Sequence, residues 1–328
     1  MSGFTRQSRR VIQAFIPGAG LGTRLRPLTE RLPKPLVPLF HRPLAEWAME
    51  ACVRAGIRRF ALNTHHLADA WLDFGEPSAT DMAPATGANG EPAIIRRWEG
   101  CDLTLFHEPI LLETGGGLKN IASWIGKEPL LVHNADIFSN LPLEKLIAAH
   151  KASCMPVTLA LRTHGDAKHI ALDPSLTRVT DIRRRLGRAE GTHVFAGIYC
   201  VNPDFLDLLP ATEKISVIPA FLTLAAQRRL GTVVIDAGTW LDLGDRESYL
   251  SAHRGLQLGP AIHPLARIGD GATVENSVIG PGAVLEAGAV VRNSVVWADC
   301  RILGDAVLDR CIVCSGKPVG GSHRDADL

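Results

Sequence analysis

The chain carries almost no net charge. Its 328 residues hold 35 lysines and arginines against 34 aspartates and glutamates. A nucleic-acid binder usually shows a strong basic excess or patch, so no nucleic acid is expected as a partner. Long apolar runs are missing too. None reaches the ~18 residues of a membrane helix, and no membrane is expected. The seven cysteines, at positions 52, 101, 154, 200, 300, 311 and 314, are odd in number and irregularly spaced. That argues against a disulfide framework and for reduced thiols in a cytoplasmic setting. Cys311-x-x-Cys314 lacks a second ligand pair, so zinc is not expected there. Two nucleotide-binding signatures are also lacking. No Gly-Lys-Ser or Gly-Lys-Thr occurs, which excludes the common phosphate loop. The dinucleotide fingerprint needs a third glycine where Thr23 stands, and Pro27 interrupts any helix opening there.

What is present begins with the apolar run Val11 to Ile16, which leads into Gly18-Ala19-Gly20-Leu21-Gly22-Thr23. Glycine lets backbone N–H groups approach a phosphate that a Cβ would hold away. Arg24, Arg26 and Lys34 follow, the lysine set between Pro33 and Pro35. A bare-backbone turn with three fixed positive charges close behind is suited to a triphosphate. A basic start (Arg6, Arg9, Arg10) before an apolar run imitates a signal peptide, but the run is short and leads straight into the loop. Residues 1–10 are read as a disordered tail.

From 11 to about 250, short apolar runs alternate with helical patterns. Val11–Ile16, Arg58–Asn63, Leu103–His107 and Leu130–Asn134 read as strands. Pro43–Ala55, Leu118–Ile125 and Leu143–Lys151 read as helices. This alternation predicts an α/β fold: a Rossmann-like, mixed and mostly parallel sheet with helices on both faces. Ligands then gather at the carboxyl ends of the strands. Residues 75–92, rich in Gly, Pro, Ala and Thr, read as an insertion. From 262 the period changes. Ile262, Ile268, Val274, Ile279, Leu285, Val291, Val296, Ile302 and Leu308 recur at steps of 6, 6 and 5. Three steps sum to 17, the pattern of a short left-handed parallel β-helix built from hexapeptide-type repeats. The expected domains are 11–255 for the α/β part and 260–314 for the β-helix, with a tail at 315–328. A homo-oligomer through the β-helix fits this layout.

The string Gly20-x-Gly22-Thr23-Arg24-x-x-Pro27-x-Thr29-x-x-x-Pro33-Lys34-Pro35-Leu36 resembles the signature of the sugar-1-phosphate nucleotidyltransferases. Three further segments resemble that family in order: Leu112-Glu113-Thr114-Gly115-Gly116-Gly117, Leu131-Val132-His133-Asn134-Ala135-Asp136 and Gly238-Thr239-Trp240-Leu241-Asp242-Leu243-Gly244. The resemblance implies transfer of a nucleotidyl group from an NTP to a sugar 1-phosphate, releasing pyrophosphate. It implies that Gly18, Ala19, Gly20, Leu21, Gly22 and Thr23 wrap the nucleotide, with Glu113 and Gly116 near its base and sugar. Arg24 would hold the phosphates and Lys34 would neutralise charge at the α-phosphate. Asp136 and Asp242 would bind Mg²⁺, and Asn134, Phe195 and Gly197 would line the sugar pocket. A β-helical appendage is also found in the family. The Glu-Lys-Pro that thymidylyl- and guanylyltransferases often carry is absent; Asp181-Ile182-Arg183-Arg184-Arg185 stands in that region, its arginines being candidates for the lysine's place.

The chemistry fits these residue types. Nucleophile and electrophile are both anionic, and at an effective dielectric of 20 two unit charges 4 Å apart interact by about 4 kcal/mol. Fixed cations and a metal answer that repulsion, and little acid–base work is needed. The Glu-Thr-Gly-Gly-Gly segment favours UTP. Guanylyl transfer to mannose 1-phosphate and thymidylyl transfer to glucose 1-phosphate are alternatives. A non-catalytic regulatory subunit of the same architecture is the alternative from another class.

Overall fold

The computed structural model describes residues 11, 13–78, 85–210 and 213–328. The tail expected at 1–10, Ile12 of the first run and the centre of the expected insertion (79–84) lie outside them. The chain forms two compact units, one of residues up to Leu21 with Trp47–Trp240, the other of Gly22–Glu46 with Leu241–Leu328. Residues 22–46 and 241–255, expected with the α/β part, are therefore grouped with the β-helix.

The first unit is built on a nine-stranded sheet. In chain order its strands are β1 (Gln13–Pro17), β2 (Arg59–Thr64), β3 (Glu76–Pro77), β4 (Ile94–Trp98), β5 (Cys101–His107), β6 (Leu130–His133), β7 (Val157–Arg162), β8 (Val194–Val201) and β9 (Leu230–Val234). Their spatial order is β9-β7-β8-β6-β1-β2-β5-β4-β3. The central strands β6, β1, β2 and β5 run parallel. β8 lies antiparallel between β6 and β7, and β4 antiparallel beside β5. β1, β6 and β7 are buried along almost their whole length, which explains why they read as continuous apolar runs rather than alternating ones. The helices are α1 (Leu44–Arg54), α2 (Glu113–Asn120), α3 (Ala122–Ile125), α4 (Leu143–Ser153), α5 (Ile218–Ala226) and α6 (Arg246–Gly255). Glu46 in the first turn of α1 and Arg54 in its last complement the helix dipole. α2 packs on β1, while α4 lies on β7 and β9. The core between them is aliphatic and aromatic, with Phe15, Phe106, Leu130, Tyr199, Phe205 and Phe221 each at most 2% exposed.

The parallel register puts the ends of four strands on one rim. Pro17 pairs with Asn63, and Thr64 with His107. Gly18, Asn63, Glu108 and Asn134 follow or finish those strands, so the sheet delivers them to the same edge.

In the second unit the β-helix follows the 17-residue period. Ile268 pairs with Leu285 and Leu285 with Ile302; Val274 pairs with Val291 and Val291 with Leu308; Ile279 pairs with Val296 and Val296 with Val313. All are parallel, giving three ladders. The five-residue corner is turned by Asn276, Asn293 and Arg310, all with φ near +50°. Behind them the side chains stack: the Ser294 N–H donates to Ser277 Oγ at 3.0 Å, and the Cys311 N–H to Ser294 Oγ at 2.9 Å. Cys311 thus continues a buried serine column. The stretch 315–328 is not a tail. Val307–Asp309 pairs with Ser322–Arg324, Ile302 bridges Val319, and Ile312 bridges Asp327, which adds a rung to the helix.

Candidate active site

In the first unit the glycine loop is braced by a residue from the next strand. Asn63 Oδ1 accepts the Gly18 N–H at 2.7 Å and the Ala19 N–H at 3.4 Å. Asn63 Nδ2 donates to Glu108 Oε1 at 2.7 Å, and Glu108 Oε2 accepts the Leu112 N–H at 3.0 Å. Glu108 is fully buried, and burial raises its carboxyl above the usual range against the pull of those hydrogen bonds. One buried pair thereby ties the glycine loop to the segment that opens α2. Gly117 is glycine because the pair lies on it: a Cβ there would come within 2.6 Å of Asn63 Nδ2. Neither Asn63 nor Glu108 belongs to the family string, and their role appears only once β2 is paired with β1 and β5. Gly20 faces open space, and Leu21 is 42% exposed.

Glu113 opens α2 with φ +61° and lies 3.9 Å from Lys214. Gly115 and Gly116 both donate their N–H to the Ile215 carbonyl, at 2.7 and 3.0 Å. A Cβ on Gly116 would sit 2.3 Å from the Glu213 carbonyl oxygen. Glycine at these positions thus admits the 213–216 segment. The Asn134 N–H donates to the Gly197 carbonyl at 3.0 Å, so these two expected sugar-pocket residues are neighbours. Phe195 instead turns its ring to Tyr199 and Phe221 in the core. Asp136, half-buried, stands just beyond β6. His133 beside it has its pKa lowered to about 4, chiefly by burial. Trp240 Nε1 donates to the Ala196 carbonyl at 2.8 Å, which fixes the chain two residues before Asp242.

In the second unit the rest of the string closes on itself. Gly22 adopts φ +61°, where a Cβ would be strained and would lie 2.8 Å from Thr29 Cγ2 and 3.0 Å from Lys34 Cβ. Thr29 Oγ1 donates to the Gly22 carbonyl at 3.0 Å. The glycine turn and the lysine, twelve positions apart in the sequence, are thus packed together. Lys34 is only 8% exposed. Thr23–Leu25 forms a single 3-10 turn that carries Arg24. Arg24 and Asp242 both lie against Gly244: a Cβ at 244 would stand 2.6 Å from Arg24 Nη2 and 2.9 Å from Asp242 Oδ1. Asp245, the α6 N-cap, has its carboxyl held below the usual range by the Ser248 N–H, with Arg24 contributing. Arg26 lies 3.8 Å from Glu30 with both side chains exposed, the surface arrangement expected of a solvated pair. Among the described residues no group of three or more His, Cys, Asp or Glu gathers into a metal cage.

Known proteins share both parts of this architecture. The Nucleotidyl transferase family matches residues 13–258, and the GlmU-like, C-terminal hexapeptide family matches residues 263–320. The chain belongs to the nucleotidyl transferase family, and the resemblance read from the glycine loop is borne out at the level of family and reaction class. It is 28% identical to a mannose-1-phosphate guanylyltransferase of Mycobacterium tuberculosis, over 89% of this chain and 83% of that one. It is 26% identical to mannose-1-phosphate guanylyltransferase 1 of Arabidopsis thaliana, over 94% of this chain and 88% of that one. Among solved structures, a UDP-glucose pyrophosphorylase from Acinetobacter baumanii shares the fold with a TM-score of 0.59 at 20% identity, covering 74% of this chain and 92% of that one. No helix among the described residues is long and apolar enough to cross a membrane.

Proposed function

We propose that the chain transfers a nucleotidyl group from an NTP to a hexose 1-phosphate. A phosphate oxygen of the sugar attacks the α-phosphorus, the bond to the β-phosphate oxygen breaks, and pyrophosphate leaves. The observation that carries this reading is the packing of Gly22 against Lys34, together with Arg24 and Asp242 both lying against Gly244. Arg24 and Lys34 are then two fixed cations beside the Gly22 turn. Arg24 holds the triphosphate, its planar fork suited to phosphate oxygens. Lys34, shielded from water, neutralises charge building at the α-phosphorus, where a preorganised cation acts most strongly. Asn63 keeps the Gly18–Leu21 backbone in shape to receive phosphate oxygens.

A divalent cation is part of this reading. Mg²⁺ prefers one or two carboxylates completed by substrate phosphates and water rather than an all-protein cage. Asp136 and Asp242 are the carboxylates we assign to it, and such an ion would neutralise and align the phosphates when bound.

For the nucleotide we take guanylyl transfer to mannose 1-phosphate as the primary reading. Its support is that both guanylyltransferases align over most of their own length and of this chain, β-helix included. UTP is the second reading, favoured by the Glu113-Thr114-Gly115-Gly116-Gly117 segment. The test is pyrophosphate release from a matrix of GTP, UTP, dTTP and ATP against mannose, glucose and N-acetylhexosamine 1-phosphates. GTP with mannose 1-phosphate is expected to give the largest kcat/KM; preference for UTP would install the second reading. Lys34→Ala and Asp136→Ala are each expected to lower kcat at least a hundredfold with Tm unchanged. Wild-type rates in either would remove that residue from the chemistry.

A further inference from the structure

The turn that carries Lys34 is held from behind by hydrogen bonds reaching back to the β-helix, all within the second unit. The Leu36 N–H donates to the Pro33 carbonyl at 2.8 Å, and the Val37 N–H to the Lys34 carbonyl at 3.1 Å. Pro38 then pairs with Pro43 in a short hairpin. The Pro38 carbonyl accepts the Tyr249 hydroxyl at 2.5 Å, and the same hydroxyl oxygen accepts Trp297 Nε1–H at 3.1 Å. Tyr249 is fully buried and Trp297 is 8% exposed. One turn further along α6, His253 Nε2 accepts the Phe40 N–H at 3.0 Å, while its Nδ1 donates to the Tyr249 carbonyl at 2.9 Å. Trp297 is itself fixed in a ladder, its N–H donating to the Val313 carbonyl at 2.8 Å. Arg246 pairs with Asp327 and Glu247 with Arg310, both at 2.7 Å, so α6 is anchored to the last rungs.

Packing alone does not ask for this chemistry, since a phenylalanine would fill the same volume without a hydroxyl to desolvate. The buried phenol is tolerated because it satisfies an indole N–H and a backbone carbonyl at once. We propose that Tyr249 is a positioning residue for nucleotidyl transfer: oriented by Trp297 of the β-helix, its hydroxyl sets the place of the turn that presents Lys34. The proposal rests on Lys34 acting at the phosphates. It also makes the β-helix part of what holds the catalytic lysine. Misplacement of a reacting group by about 1 Å can cost 10²-fold in rate, and a loosened turn is a milder case.

The experiment is steady-state kinetics of the full chain at 15 °C, beside thermal melting. Tyr249→Phe is expected to lower kcat about tenfold while KM for each substrate changes less than threefold. Trp297→Phe, which removes the indole N–H but leaves the phenol on Pro38, is expected to lower kcat two- to fivefold with KM equally unmoved. A merely structural tyrosine would give a lower Tm with wild-type kcat, and that result in both variants would overturn the proposal. If Tyr249→Phe does not fold, Trp297→Phe decides alone: wild-type kcat overturns the proposal, and the stated drop supports it. Lys34→Ala separates the two levels. If it keeps activity, the reading of Lys34 fails; if it is dead while both aromatic variants turn over normally, only the positioning role fails.

Discussion

Single residues define most of the site. Gly244 is the sharpest case. Its methyl-free surface lets Arg24 and Asp242 both lie against it, and its φ is not among the left-handed ones, so alanine fits the backbone there. Gly244→Ala is therefore expected to fold with Tm within a few degrees of wild type and to lose at least tenfold in kcat/KM, measured by pyrophosphate release. Asn63 is the second case. Asn63→Ala leaves the Gly18 N–H and the buried Glu108 oxygen without their partner, and an unsatisfied buried group costs about 1–3 kcal/mol. Lower stability in urea, with a raised KM for the NTP, is the expected outcome. Arg24 and Lys34 are legible in the sequence because the string that holds them is nearly contiguous. Asn63 and Glu108 are not. They act across 45 residues through a parallel strand register, and at a strand end either reads as an ordinary cap.

Elements are legible where their hydrophobic period is clean. The 17-residue repeat of the β-helix and the α1 stripe both emerge in place. The antiparallel insertion of β8 between β6 and β7 does not, because a strand buried on both faces has the same apolar run whichever way it points. The last rung escapes notice for another reason. Leu308 pairs with His323, a step of 15 where the earlier rungs step by 17, and polar residues stand where the aliphatic period falls. A terminal rung meets water on one side, so it has less need of apolar residues. α6 yields a pH prediction. His253 is neutral in the fold, accepting at one nitrogen and donating at the other, and burial lowers its pKa to about 4. His133 and His150 are likewise lowered to about 4 by burial. The unfolded chain, with histidine pKa near 6.5, takes up these protons first. Stability is therefore full above about pH 6.5 and falls as pH drops from there toward 4, by at most about 3 kcal/mol per histidine. Urea midpoints from pH 7.5 to 4.5 check this, and His253→Gln is expected to flatten the slope.

At the scale of the whole molecule, the final fourteen residues matter more than their composition suggests. They cover Ile302, Leu308 and Ile312 and supply Asp325 and Asp327 to Arg310 and Arg246. Ending the chain at Cys314 is expected to lower Tm by several degrees and to produce association on size-exclusion chromatography, through newly bared aliphatic side chains. An unchanged melting point in a monodisperse truncated protein would show the rung to be dispensable.

The second unit joins Gly22–Glu46 to Leu241–Leu328, and this has a consequence for birth on the ribosome. Lys34 is translated well before Tyr249, Trp297 and Asp327. At about 5–20 residues per second, the lysine's turn waits roughly 15–60 s for its supports. The turn that presents Lys34 therefore reaches its supported position only after Trp297 and Asp327 have been made.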